Sequence, residues 1–249
     1  MPVSSASQFV YRIPAGRRVY AVGDVHGRHD LFDQLAVLIE ADIRGSRGDN
    51  FEAETIFLGD YIDRGIESRL VVERLASGDF PTAVRCLAGN HEMMMLSFLE
   101  AAGAGEVWLL NGGLETLFSY GVEAQRMPSG TRLESARAAL IAALPAHHLH
   151  FLRSLEVSVE IGDYFFCHAG VRPGVPLAQQ TLDDLIWIRE PFLSDDTPFG
   201  KRIVHGHTPV MEPEIRTNRI NLDTGAYLTN RLTCAVLEDD SVRILQARA

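Results

Sequence analysis

Three times before residue 93 this chain repeats one unit: a short apolar strand, a glycine-flanked polar turn, and then a segment of helical periodicity. Arg18 to Val22 runs into Gly23-Asp24-Val25-His26-Gly27, and His29 to Ile43 then places Leu31, Phe32, Leu35, Leu38 and Ile39 on one helical face. Thr55 to Leu58 ends at Gly59-Asp60-Tyr61-Ile62-Asp63-Arg64-Gly65, ahead of a helix over Glu67 to Ala76. Ala83 to Leu87 ends at Gly89-Asn90-His91-Glu92. Such a repeat predicts parallel strands joined by helical crossovers, an α/β fold. In open sheets of this kind, polar turns at the carboxyl ends of the strands converge on one edge.

The remainder of the chain changes character. From about Glu92 to Leu155 the pattern is mostly helical. Thr131 to Glu134 reads as a capping box, and Pro145 suits the first turn of a helix reaching Leu155. This helical subregion is expected to pack over the sheet and shape the entrance to a site. Beyond it lie strands. Val157 to Ile161 and Tyr164 to Cys167 flank a Gly162-Asp163 turn, and Arg202 to Val204, Arg219 to Leu222, Leu232 to Leu237 and Val242 to Leu245 follow. With no low-complexity tract or convincing linker, residues 17–249 read as one domain behind a flexible lead-in, residues 1–16.

Bulk properties narrow the function class. No apolar run of about 18 residues predicts a membrane span, and the first residues lack the basic-then-apolar pattern of a signal peptide. A cytoplasmic protein is expected. The net charge of −10 argues against binding duplex nucleic acid, which calls for a basic face. Cys86, Cys167 and Cys234 have no CxxC spacing and read as buried, reduced thiols.

The polar residues of the turns point to metal and phosphate. Asp24 and His26, one residue apart at a strand end, can aim at one ion, and a carboxylate with an imidazole suits Mn, Fe or Zn better than Ca. Asp60 can bridge two ions, and Asn90 offers an amide oxygen. His168 in His168-Ala169-Gly170 and His207 in Gly206-His207-Thr208 complete six mixed O and N ligands, the number two divalent ions would need. Arg64 is a fork suited to phosphate. His91, next to Asn90, is better placed as an acid for the leaving group, with Asp63 as its orienting carboxylate.

These five motifs resemble those of the phosphoprotein phosphatase family, the serine/threonine phosphatases within the calcineurin-like metallophosphoesterases, over roughly Val19 to Asp223. Trp108 to Gly113, with Thr116-Leu117 and Ser119-Tyr120-Gly121, resembles the bacterial and phage branch. The resemblance implies two mixed β-sheets packed as a sandwich and flanked by helices. It implies Asp24, His26 and Asp60 on one ion, and Asp60, Asn90, His168 and His207 on the other, with Mn as the supporting metal. It also implies Arg64, Asn90 and Arg189 on the phosphate and His91 with Asp63 as the acid pair; Arg189 is named from this pattern alone. The activity implied is phosphomonoester hydrolysis on a phosphoprotein or small phosphoester, by direct attack of metal-activated hydroxide. Bacterial diadenosine tetraphosphate hydrolases, which cut symmetrically, share most motifs and are the alternative; a silent metal-binding module is the remote one. Their second motif typically lacks the acid at Asp63 and their third ends in Asp, so Asp63 and Glu92 favour the protein phosphatase.

Several residues carry open readings. His207 is preferred to His205 as ligand, with His205 behind it. His147, His148 and His150 do not share one tight helical face and are expected to be solvated or to line an entrance. Glu92 is read either as a hydrogen-bond partner of a ligand or as a helix-start charge. Asp223 is either functional or a strand end. Trp108 and Tyr120 are read as core.

Overall fold

The computed structural model describes residues 10–46 and 51–249. Residues 1–9 of the expected lead-in lie outside the described residues. Of the rest of that segment, Ile13 is buried and its N–H donates to the Asp239 carbonyl.

Among the described residues, ten strands form two five-stranded sheets. They are β1 (Arg17–Val22), β2 (Glu52–Phe57), β3 (Ala83–Cys86), β4 (Ser158–Ile161), β5 (Tyr164–Cys167), β6 (Arg202–His205), β7 (Glu214–Ile215), β8 (Arg219–Asn221), β9 (Arg231–Glu238) and β10 (Ser241–Arg248). The first sheet runs β10-β9-β1-β2-β3. Its β1-β2-β3 part is parallel, as the repeated unit predicts, and β9 joins β1 antiparallel. The second runs β4-β5-β6-β8-β7, with β5-β6-β8 parallel between antiparallel edges. Both sheets are therefore mixed.

Strand alternation builds the layers. Val19 and Ala21 of β1 meet Tyr164 and Phe166 of β5 and Val204 of β6 in an apolar layer between the sheets. Tyr20 and Val22 point the other way, under α1 (His29–Gly45) and α2 (Ser68–Ala76). On the far face of the second sheet, Phe165, Cys167 and Ile203 pack with Ile186 and Phe192. The result is a sandwich of two sheets flanked by helices.

Between β3 and β4 come α3 (Asn90–Glu100), α4 (Gly105–Trp108), α5 (Leu114–Ser119), α6 (Arg132–Ala143) and α7 (Ala146–Arg153); α8 (Leu182–Trp187) and α9 (Ala226–Thr229) follow later. One expected cap does not form. Thr131 makes no capping hydrogen bond, because residues 129–131 already turn as a 3₁₀ segment and Thr131 lies at φ −125°, ψ 9° rather than in the extended region. A glutamate closes the start of α3 instead: Glu92 accepts the Gly89 N–H at 3.0 Å. No described helix is long and apolar enough to cross a membrane.

Candidate metal centre

Strand ends from both sheets open into one basin. Asp24 and His26 follow β1, Asp60 follows β2, Asn90 and His91 begin α3 after β3, His168 follows β5 and His207 follows β6. All of these side chains are buried. The glycines beside them are demanded by close approach. A Cβ at Gly89 would stand 2.1 Å from Asp60 Oδ1, and one at Gly206 would stand 2.0 Å from Asp24 Oδ1. His26, Asp60, Asp63, Arg64 and His207 all hold left-handed backbone, with φ between 46° and 72°. Non-glycine residues pay conformational energy for that, and such strain concentrates at functional sites.

Two overlapping groups can each hold a divalent ion: His26, Asp60 and His91, and Asp60, His168 and His207, each with ligand atoms within 4.8 Å of one another. Asp60 belongs to both. His168 Nδ1 donates to the Leu58 carbonyl at 2.9 Å, so in the neutral ring Nε2 carries a lone pair. That lone pair faces Asn90 Oδ1 at 3.1 Å and Asp60 Oδ2 at 3.4 Å. His26 repeats the arrangement: Nδ1 donates to the Ile62 carbonyl at 2.9 Å, and Nε2 faces Asp60 Oδ2 at 3.6 Å. Acceptors facing acceptors in a buried place suit a cation between them, so the donor set fits a binuclear divalent-metal centre. His207 Nδ1 reaches Asn90 Oδ1 at 2.9 Å. Asp24 lies at the seam between sheets, where its carboxylate accepts the His207 backbone N–H at 3.1 Å.

The electrostatics agree. Burial disfavours charge on His168, but the facing Asp60, with Asp24 and Glu92, lifts its pKa to about 10; a proton does there what a metal cation would do. Burial holds His26 and His207 down at about 3, the neutral form that binds metal. Asp60 is buried too, yet the imidazoles of His168, His91 and His26 keep it well below the usual carboxylate range. Asp24 is pushed up by burial and by Asp223 and Asp60.

Beside the ligand groups, His91 Nδ1 donates to Asp63 Oδ2 at 2.6 Å. Asp63 is fully buried and also accepts from Trp108 Nε1 at 2.8 Å and from Thr116 Oγ1 at 2.6 Å. Its own N–H donates to the Thr116 and Ser68 hydroxyls. Burial raises the Asp63 carboxyl, and those hydrogen bonds pull against the rise. Arg64 stands over the basin with Nη2 at 3.4 Å from His91 Nε2; Nη1 donates to the Tyr227 hydroxyl at 2.6 Å. Arg189 is exposed, and its charge lowers the His207 pKa after burial and His168. Trp187, 44% exposed, sets its ring edge-on to His207 at 6.1 Å.

Other positions either resolve an open reading or depart from the one given. Glu92 sits at the helix start and bonds no ligand side chain. Its carboxylate accepts the backbone N–H groups of Gly89, Asp60 and Tyr61, tying the second turn to the third, and burial lifts its pKa to about 7. His205 turns away from the basin toward Phe192 and Arg219. Asp223 bonds the Gly225 N–H and raises the pKa of Asp24. His148 is neither solvated nor at an entrance: it is fully buried against Tyr120. Trp108, read as core, also supports Asp63. Ser68, Thr116 and Tyr227 were missed. Thr116 and Tyr227 stand far along the chain from the groups they touch, and Ser68, five residues after Asp63, has no local spacing that marks it.

The calcineurin-like phosphoesterase family matches residues 17–244. This chain belongs to that family. It is a hydrolytic metalloenzyme with a site for two divalent ions. This calcineurin-like phosphoesterase is 28% identical over 226 residues to serine/threonine-protein phosphatase 1 of Salmonella typhimurium, covering 89% of this chain and 93% of that one. It is 25% identical over 228 residues to an asymmetrical bis(5'-nucleosyl)-tetraphosphatase of Bacillus velezensis, covering 85% and 86%. The crystal structure of a putative diadenosine tetraphosphatase shares the fold, with a TM-score of 0.64 at 17% identity over 96% of this chain and 99% of that one. These names differ in substrate, so family membership leaves substrate choice to the site.

Proposed function

We propose that this phosphoesterase hydrolyses the phosphoanhydride chain of a dinucleoside tetraphosphate. The observation that carries the reading is the recurrence of one activity among its relatives: asymmetrical bis(5'-nucleosyl)-tetraphosphatases from several bacilli are 23–27% identical to it over 85–87% of the chain. The local geometry supports it. Asp63 and Glu92, the residues whose identity favours a protein phosphatase, are both fully buried, and the contacts described for them are internal. Neither is positioned to read a substrate. Around the basin, Arg64 and Arg189 offer two cations for a polyphosphate, and the exposed ring of Trp187 offers a surface for a base.

In this reading Asp24, His26 and Asp60 hold one ion and Asp60, Asn90, His168 and His207 the other. Mn is the supporting metal by resemblance, with Fe or Zn as alternatives. The ions, when bound, supply Lewis-acid polarisation of the phosphoryl oxygens and acidify water. Arg64, Asn90 and Arg189 orient the phosphate. His91 holds a proton at Nε2 for the leaving oxygen, and Asp63 fixes the ring from Nδ1. Burial opposes the charged imidazole, but Asp60 and Asp63 outweigh it and raise the His91 pKa, as an acid requires.

A second reading, a bacterial-type serine/threonine protein phosphatase, is favoured by the 28% identity to the Salmonella enzyme. A substrate panel with added Mn²⁺ separates the two. It compares diadenosine tetraphosphate, a phosphoserine/phosphothreonine peptide, a phosphotyrosine peptide and p-nitrophenyl phosphate. The proposal expects the highest kcat/KM on the dinucleotide, with ATP and AMP as products. Two ADP would make the cut symmetrical, and faster turnover of the phosphoserine/phosphothreonine peptide would replace the reading with the second.

A further inference from the structure

A second set of imidazoles and a carboxylate lies outside the basin, where α2 faces the first turn of α7. His148 Nε2 stands 2.8 Å from Glu73 Oε2, and His147 Nε2 stands 3.1 Å from the same oxygen. The three ligand atoms lie within 4.8 Å of one another. Adjacent helical residues diverge by about 100°, so two neighbouring rings meeting on one oxygen is not a default of the helix. The two imidazole-to-oxygen spacings, 2.8 and 3.1 Å, are shorter than the edge of about 3.3–3.6 Å in a tetrahedron with ligand bonds of about 2.0–2.2 Å, so small side-chain movements that open the cluster by a few tenths of an ångström would admit an ion.

The buried side of the cluster supplies the remaining element of a ligating histidine. His148 Nδ1 meets the Tyr120 hydroxyl at 2.9 Å. That hydroxyl can accept Nδ1–H, which leaves the Nε2 lone pair aimed at the cluster, and outer partners orient metal-bound imidazoles in this way. The open side supplies access: the side chains of Glu73 and His147 are 48% and 53% exposed. Solvent can therefore provide a fourth ligand.

We propose that Glu73, His147 and His148 form a third cation site, structural in role, for a borderline transition ion of the Zn²⁺ class. An ion there clasps α2 to α7 and, through Tyr120, to the turn after α5. Those two helices, α2 and α5, carry Ser68 and Thr116, which hold Asp63. The site would thus stiffen the wall behind the acid pair without touching it, whatever the substrate.

The test uses the full chain dialysed against micromolar Zn²⁺, with metal content read by mass spectrometry and stability by thermal unfolding. Wild type should retain three ions. Glu73→Gln and His147→Ala, both at exposed positions, should each retain two. A Zn²⁺-dependent rise in Tm on the order of 5 °C should be present in wild type and missing from both variants. Two ions in wild type, or the same stoichiometry in all three proteins, would overturn the proposal.

Discussion

Asp60, His168 and His207 stand at or just beyond the ends of β2, β5 and β6, whereas Asp63 meets His91 in a pocket completed by Trp108 of α4, Thr116 of α5 and Ser68 of α2. The first side of the basin is set by strands whose register is locked in two sheets. The second is assembled by short helices, of which α4 and α5 reach it from well along the chain. Ligand geometry should therefore survive changes in the helical stretch, and the acid pair should not. Metal content and turnover, measured together, separate the two sides.

The largest effect belongs to Asp60, the group shared by both ligand clusters. Asp60→Asn should cut kcat/KM by about 10³-fold or more and lower the number of bound ions, read by metal analysis. Retention of both ions at full occupancy would break the comparison on its strand-borne side. Next comes His91→Ala, expected to lower kcat by about 10²–10⁴-fold while metal content stays at the wild-type value. If metal is lost along with activity, His91 is a ligand and the two sides merge. Trp108→Phe removes one hydrogen bond from a buried carboxylate. That is about 1.5–3 kcal/mol, so a loss of tenfold or more in kcat is expected, with a shifted pH profile and unchanged metal content. A flat response would mean that Asp63 is held well enough without it. The smallest effect is Tyr227→Phe, which frees Arg64 from the hydroxyl it bonds at 2.6 Å. KM should rise by about two- to tenfold with kcat nearly unchanged.

The same contrast explains what could be read from residue order. A ligand at a strand end has to follow an apolar run, and close approach to a carboxylate forces glycine beside it, so Asp24, Asp60, Asn90 and His168 announce themselves locally. The parallel β1-β2-β3 arrangement is legible for the same reason. Trp108 and Thr116 obey no such rule. Each meets Asp63 across about fifty residues, and their types are as well explained by core packing. His148 looked solvent-facing because helical spacing says nothing of what packs on the helix; α2 and Tyr120 cover it. Thr131 looked like a cap because the pattern was right, but the backbone ahead of it had already turned. Glu92 looked informative about substrate because of where it falls in its motif, yet it bonds only backbone.

The apolar layer between the sheets carries a consequence for how this protein can be monitored. Asp24, His26, Asp60 and Asn90 come from the turns of one sheet, while His168 and His207 come from the other. Side-chain packing, Val19 and Ala21 against Phe166 and Val204, fixes the offset between those two sets, with a few hydrogen bonds across the seam such as His168 Nδ1 to the Leu58 carbonyl and the His207 N–H to Asp24. A slip of one sheet on the other would misalign the ligands before either sheet lost a hydrogen bond. Affinity for the ion pair therefore works as a vernier on sheet alignment, and it would report a loosened interior at Phe166 or Val204 while far-ultraviolet spectra still looked native.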